Sequence, residues 1–169
     1  MYGYVKVGSA VPKLRVADCV YNKEEILKLV EAAAAKQVRV LSFPELSVTG
    51  YTCADLFFQT PLLHAAEQAI QEIAEATEAL NIFLLIGAPI AVDNQMFNCA
   101  VALYKGKLLG IVPKTHIPNY SEFYEERWFA SADDLLTEEI TYAGQNVPTG
   151  ADLIFAAADF PALKIGVEI

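Results

Sequence analysis

The segment of residues 82–92 is the longest apolar run in the chain, and it limits the possible folds more than any other feature. It is too short to cross a bilayer, and it contains Pro89. A continuous apolar run of this length is typical of a strand that is buried on both faces. Hydrophobic residues make up 54% of the chain and charged residues 20%, which excludes a disordered polar chain. We therefore expect a buried sheet inside a single folded domain.

The first half of the chain alternates helical and strand patterns. Residues 22–37 have apolar positions at helical spacing, and Asn22 is the predicted N-cap. Residues 38–43 predict a strand that Pro44 ends. Residues 61–80 predict a second helix, with Pro61 tolerated in its first turn.

Strand patterns dominate the second half. Residues 82–92, 96–104 and 108–112 predict three strands joined by short turns. A loop rich in aromatic and acidic residues follows over 113–134, and residues 152–158 and 163–169 predict two more strands. Helices that alternate with buried strands predict an α/β layer sandwich with a mixed sheet.

Several classes of function lose support from the composition. The formal net charge of −9 disfavours binding to a phosphate backbone, so we expect no nucleic-acid partner. No segment reads as a membrane span or an export signal, which predicts a cytoplasmic protein. The glycines form no phosphate-binding loop, and neither His64 nor His116 has metal-ligand spacing. The cysteines are odd in number and far apart, so we interpret them as buried apolar residues: Cys19, Cys53 and Cys99.

Two charged residues stand directly after predicted strands. Glu45 follows Pro44 at the end of the first strand, where a carboxylate among apolar neighbours could act as a general base. Lys114 follows Pro113 at the end of another strand, where an ammonium could stabilise an oxyanion. Either residue alone is more simply a solvated surface charge. The coincidence of two such strand ends favours a site.

The segments around these residues resemble the first two catalytic motifs of the nitrilase, or carbon–nitrogen hydrolase, superfamily. They are FPELSVTGY at 43–51 and PKTHIPNY at 113–120. Together with FYEERWF at 123–129 and the segment 144–155, they are most similar to the glutaminase domains of glutamine-dependent NAD+ synthetases. The resemblance spans the whole chain. It implies a nitrilase-like α-β-β-α sandwich, here truncated, with residues 1–169 as the N-terminal part of a glutaminase domain and no synthetase domain.

The resemblance also implies roles for individual residues. Glu45 would be the general base and Lys114 the oxyanion-stabilising cation, while Tyr120 and Tyr51 would line the glutamine pocket. Glu125 would be the supporting acid, although its loop neighbours Glu122 and Glu126 remain alternatives. The third motif of the family is a strand that ends in a nucleophilic Cys. Residues 164–169 match that strand up to the position before the Cys, so we expect this piece to be inactive alone.

The implied parent enzyme releases ammonia from L-glutamine and uses it to amidate deamido-NAD. The chain itself would need no cofactor and no metal, whereas the missing synthetase domain would bind ATP and Mg²⁺. We expect a homo-oligomer. Two alternatives remain open: a stand-alone nitrilase-like amidase or carbamoylase, and a non-catalytic nitrilase-like module that serves in assembly.

Overall fold

The molecule has two long helices and nine strands within residues 3–169, which are the residues that this computed structural model describes. The first half contains β1 (Val7–Ser9), α1 (Cys19–Ala35), β2 (Val40–Ser42), α2 (Thr60–Ala76) and β3 (Phe83–Val92). The second half contains β4 (Gln95–Tyr104), β5 (Lys107–Pro113), β6 (Glu139–Tyr142), β7 (Gln145–Pro148), β8 (Ile154–Ala156) and β9 (Lys164–Gly166). Short 3-10 helices cover Ala54–Phe58, Glu125–Arg127 and Ala132–Asp134.

The first five strands form one sheet in the order β1-β2-β3-β4-β5. β1, β2 and β3 are parallel, and β3, β4 and β5 form an antiparallel meander. The predicted α/β class and mixed sheet are therefore confirmed. β1 and the β6–β7 hairpin were not predicted, whereas β8 and β9 form a second hairpin inside the two segments predicted as strands.

One face of the sheet packs on the two helices. Alternate residues of β3 and β4, including Leu84, Ile86 and Val101, share a buried core with Ile26 of α1 and Ile70 of α2. This period of two follows from the pleat, which sends successive side chains to opposite faces. The helices thus cover only one face of β3 and β4.

The opposite face carries the residues between those core positions. Phe83, Ala100 and Ala102 are buried without belonging to the helix-side core. The β8–β9 hairpin covers part of this face, where the rings of Phe83 and Phe155 lie 5.4 Å apart. The sheet is therefore apolar on both faces, as the continuous apolar run predicts.

The predicted start of the first helix is wrong. α1 begins at Cys19, and its N-cap is Asp18, whose carboxylate accepts a hydrogen bond from the Tyr21 N–H. Asn22 lies inside the helix and is fully buried. Its side chain exchanges hydrogen bonds with the Arg15 backbone and donates to the Val48 carbonyl at 2.9 Å. Asn22 thus joins α1 to the loop after β2 instead of capping the helix.

No helix in residues 3–169 is long and apolar enough to cross a membrane.

Candidate active site

The loop that carries Glu45 is held against β3 by a glycine. A Cβ atom on Gly87 would lie 2.4 Å from the Leu46 nitrogen and 2.5 Å from the Pro44 carbonyl oxygen, so only glycine allows this approach. The Gly87 carbonyl accepts a hydrogen bond from the Val48 N–H at 3.1 Å. The backbone on either side of Glu45 is therefore fixed on the sheet face opposite the helices.

Lys114 is placed by the strand pair β4–β5. Its backbone N–H donates to the Asn98 carbonyl at 2.8 Å, directly after the last residue of β5. Its carbonyl accepts from the Ala132 N–H at 2.9 Å, which ties the strand end to the following loop. The Lys114 side chain is 8% exposed, so its ammonium group is almost fully withdrawn from water.

Two carboxylates surround this ammonium. Lys114 Nζ donates to Glu45 Oε2 at 2.8 Å and to Glu125 Oε2 at 3.1 Å. Burial alone would lower the pKa of Lys114, but hydrogen bonds to Glu45 and Glu125 raise it above the ordinary lysine value. The lysine is therefore a buried, charged cation and not a solvated one.

The structure shows which of the three candidate supporting acids, Glu122, Glu125 and Glu126, contacts Lys114. Glu125 is 2% exposed and contacts Lys114, whereas Glu122 and Glu126 are exposed. Glu126 accepts a hydrogen bond from the Asn119 side chain at 2.7 Å, away from Lys114. Glu125 is thus the acid that belongs to the cluster.

The two tyrosines differ in their placement. Tyr51 donates its hydroxyl to Glu125 Oε1, and burial followed by this hydrogen bond raises the Tyr51 pKa, so the hydroxyl stays protonated. Tyr120 is 67% exposed, and its ring packs on Phe123 at 5.8 Å. The structure brings Tyr51 into the cluster, while Tyr120 makes no hydrogen bond to it.

Sequence reasoning missed Asn98, a fully buried residue of β4 whose Nδ2 donates to Glu45 Oε2 at 2.7 Å. The signal was present, because Asn98 is a polar residue within an apolar strand, and a buried amide requires a partner. Gly87 gave a similar signal as a glycine inside the apolar run.

A cavity of about 360 Å³ adjoins this cluster. Glu45 lines it together with Leu85, Gly87 and Ala100 of the sheet. The other wall consists of residues 166–169, at and beyond the end of β9. The segment predicted to lead to the nucleophile position therefore lies against the same cavity as the predicted base.

Cys99 borders the cavity beside Glu45, but no thiol within residues 3–169 hydrogen-bonds to Glu45, Lys114 or Glu125. All three cysteines are buried, as predicted, and none forms a disulfide. Burial raises the pKa of Cys53, whose thiol donates to the Thr49 and Gly50 carbonyls, and also that of Cys99. Within residues 3–169, no group of three or more His, Cys, Asp or Glu side chains is arranged to hold a metal ion.

A buried cation thus lies between Glu45, in the loop after β2, and Glu125, in a 3-10 turn, beside a cavity. Residues 6–169 match the carbon-nitrogen hydrolase family. The chain belongs to this family. Its curated relatives include the glutamine-dependent NAD+ synthetases of Mycobacterium leprae, 36% identical over 167 residues, and Mycobacterium tuberculosis, 34% identical over 168 residues. Each alignment covers 99% of this chain but only 24% and 25% of the relative, respectively. The chain thus spans about a quarter of the length of these relatives.

Solved structures agree with this assignment. A crystal structure of a glutamine-dependent NAD+ synthetase from Cytophaga hutchinsonii aligns with a TM-score of 0.86 and 28% identity. The alignment covers 96% of this chain and 27% of the Cytophaga hutchinsonii chain. An amidase from Nesterenkonia sp. aligns at a TM-score of 0.61 and 19% identity over 82% of this chain and 52% of that chain, and shares the fold. The resemblance inferred from the motifs is confirmed.

Proposed function

We propose that this chain is the N-terminal part of the glutamine-hydrolysing domain of a glutamine-dependent NAD+ synthetase. The single observation that carries the chemistry is the Lys114 ammonium held between Glu45 and Glu125 beside the cavity. Similarity to synthetases over 99% of the chain supports glutamine as the amide substrate.

The reaction follows from the placement of these charges. Glu45 takes the proton from a cysteine thiol, and the thiolate attacks the side-chain amide carbon of glutamine. Lys114 stabilises the tetrahedral oxyanion. Ammonia leaves with the proton that Glu45 returns, and a glutamyl thioester remains. Glu45 then removes a proton from water, whose oxygen attacks the thioester carbon. The C–S bond breaks, glutamate leaves, and Glu45 returns the proton to the released cysteine thiolate.

The nucleophilic cysteine is proposed to be the residue that follows Ile169 in the full protein. The contact between residues 166–169 and the Glu45 cavity supports this position. Residues 1–169 alone would then hold the base and the cation but no nucleophile, and they would not hydrolyse glutamine.

The remaining predicted residues have supporting roles in this proposal. Glu125 holds Lys114 on the side away from Glu45, and Tyr51 holds Glu125 through its hydroxyl. Tyr51 is 40% exposed, so one part of its ring is free to border a ligand. Tyr120 would cover the glutamine pocket from the loop after Lys114.

Ammonia would pass from this site to a synthetase domain elsewhere in the full protein. That domain would bind ATP, Mg²⁺ and deamido-NAD, in agreement with the small fraction of the relatives that this chain spans. We also propose a cytoplasmic homo-oligomer with no nucleic-acid partner.

The test uses the full-length protein and measures NAD+ formation with glutamine or with ammonia as the nitrogen donor. Glu45→Gln removes the base, so glutamine-dependent synthesis should fall by about 10²–10⁴-fold. Ammonia-dependent synthesis should be retained, because it bypasses the hydrolytic site. Glu122→Gln, an exposed acid of the nearby loop, is the matched control and should change neither rate.

Glutamine-dependent synthesis that persists in Glu45→Gln would contradict the proposal. A full-length wild-type protein that hydrolyses glutamine but forms no NAD+ with either donor would favour a stand-alone amidase.

A further inference from the structure

The two oxygens of the Glu45 carboxylate have different environments. Oε2 accepts hydrogen bonds from Asn98 Nδ2 at 2.7 Å and from Lys114 Nζ at 2.8 Å. Oε1 accepts none from residues 3–169. The Glu45 side chain is 38% exposed, which leaves room for another group to approach it. The carboxylate thus has one oxygen engaged by two donors and one oxygen free.

Asn98 is the more rigid of the two donors. It lies in the middle of the sheet, paired with Pro89 of β3, and is fully buried. Its Oδ1 has no hydrogen-bond partner within the described residues, so the contact with Glu45 is the one side-chain hydrogen bond that orients its amide there. An ionised carboxylate oxygen can only accept hydrogen bonds, so the NH₂ group of the Asn98 amide, and not its oxygen, must face Glu45.

Lys114 cannot fix Glu45 in the same way. Its ammonium is shared between Glu45 and Glu125, and it stands on a flexible side chain. When Lys114 turns towards an oxyanion, its hydrogen bond to Glu45 must lengthen. A second donor on Oε2 that takes no part in the reaction would keep the carboxylate in place during that movement.

We propose that Asn98 is a positioning residue that holds Glu45 by Oε2 and so makes Oε1 the oxygen that exchanges protons with the nucleophile. This inference rests on the proposed function. In the first step the S–H bond breaks, an O–H bond forms at Glu45 Oε1, and the electron pair stays on sulfur. Protonation at Oε2 would instead require the loss of one of its two donors, so Oε1 is the oxygen that is open to the proton.

The test compares Asn98→Ala with the wild type in the full-length enzyme, using the kcat and the KM of glutamine hydrolysis. Loss of the donor lets Glu45 rotate, so kcat should fall by about 10–10²-fold with little change in the KM for glutamine. Ammonia-dependent NAD+ formation should be unchanged.

Asn98→Leu keeps the size and branching of the side chain and removes its N–H donors without adding a charge, so it decides the question if Asn98→Ala does not fold. It should also lower kcat with little change in the KM for glutamine. Thr77→Val is the matched control, because Thr77 is also buried and its hydroxyl donates to the Ile73 and Ala74 carbonyls at the end of α2 instead of to Glu45. It should lower thermal stability and leave the kcat for glutamine unchanged.

A kcat like that of the wild type in Asn98→Leu would overturn this inference while leaving the proposed function intact, provided that Glu45→Gln is inactive with glutamine. Activity of Glu45→Gln with glutamine would overturn the proposed function itself. The two failures are therefore distinguishable.

Discussion

Lys114 shows how a single residue sets the electrostatics of this site. Its charge is buried, which would be unfavourable without partners, but two carboxylates stand within 3.1 Å of it. The same pairing raises its pKa, so the ammonium stays charged throughout the pH range in which a thiolate is useful. Removal of this one charge would leave two facing carboxylates without a counter-ion.

Replacement of Lys114 by Met keeps much of the side-chain volume and removes the charge. In the full-length protein, glutamine-dependent turnover should fall by about 10²–10³-fold, which is typical for the loss of one oxyanion donor. Lys114→Arg should fail as well, because a planar guanidinium does not fit a site shaped around a compact ammonium. Turnover with glutamine, measured beside turnover with ammonia, checks both expectations.

Lys107→Met is the control, since Lys107 is an exposed lysine at the start of the same strand. It should behave like the wild type. Near-normal glutamine turnover in Lys114→Met would remove Lys114 from the reaction.

At the scale of elements, the site depends on how closely the loop after β2 approaches β3. Gly87→Ala would place a methyl group 2.4–2.7 Å from backbone atoms of residues 44–46. The loop must then move, and with it Glu45. We expect a loss of about 1–3 kcal/mol in the free energy of unfolding and a larger loss of activity with glutamine than with ammonia.

Gly8→Ala provides the comparison, because a Cβ there would meet its nearest neighbour, Leu41 Cδ1, at 3.4 Å, close to ordinary contact. Chemical denaturation and the two activity assays measure the difference. Equal behaviour of the two variants would show that the loop does not need the glycine.

A second contact between elements fixes the loop that carries Glu125. The Asp55 carboxylate accepts hydrogen bonds from Arg127 Nε and Nη2, both at 2.8 Å, and from Trp128 Nε1 at 3.0 Å. The Arg127 hydrogen bonds, and then that of Trp128, lower the Asp55 pKa from 3.8 to about 2. A lowered pKa means that the contact adds stability above the ordinary pKa of Asp and loses it as the pH falls through about 2.

Asp55→Asn should therefore unfold at a lower urea concentration than the wild type at pH 6. This gap between the two urea midpoints should narrow as the pH falls from 4 to 2. Urea titrations across this range measure it. Asp133 is an exposed acid that forms no ion pair within residues 3–169, so Asp133→Asn should show no such narrowing. A gap that stays constant down to pH 2 would contradict the assignment of the contact to a charged Asp55.

Across the whole molecule, the long elements and the short strands β2, β8 and β9 were predicted, whereas β1, β6 and β7 were not. The strands β3 to β5 and helix α2 follow from continuous apolar or helical periodicity. β1 has three residues and β6 and β7 have four each, so their strand character comes from pairing with neighbours and not from their own pattern.

The candidate site was predictable only where local sequence marks the position of a residue. Glu45 and Lys114 stand at strand ends, which the sequence marks by prolines. The choice of Glu125 over Glu122 and Glu126 depends on a 3-10 turn that buries one of three exposed-looking acids. Asn22 was misassigned because its long-range partners, Arg15 and Val48, satisfy an amide that local sequence places equally well at a cap.

The β4–β5 pair contains a β-bulge, which determines where insertions and deletions can be accommodated. Leu103 pairs with Leu108 and Ala102 with Gly110, so Leu109 is an extra residue, and beyond it the pairing continues to Cys99 and Pro113. A residue gained or lost at this bulge or in the turn can be absorbed there. One lost between Gly110 and Lys114 would pull the ammonium about 3.4 Å along the strand and away from its carboxylates. Insertions and deletions are therefore tolerable at the bulge and in the turn that precedes it, whereas between the bulge and Lys114 they are selected against.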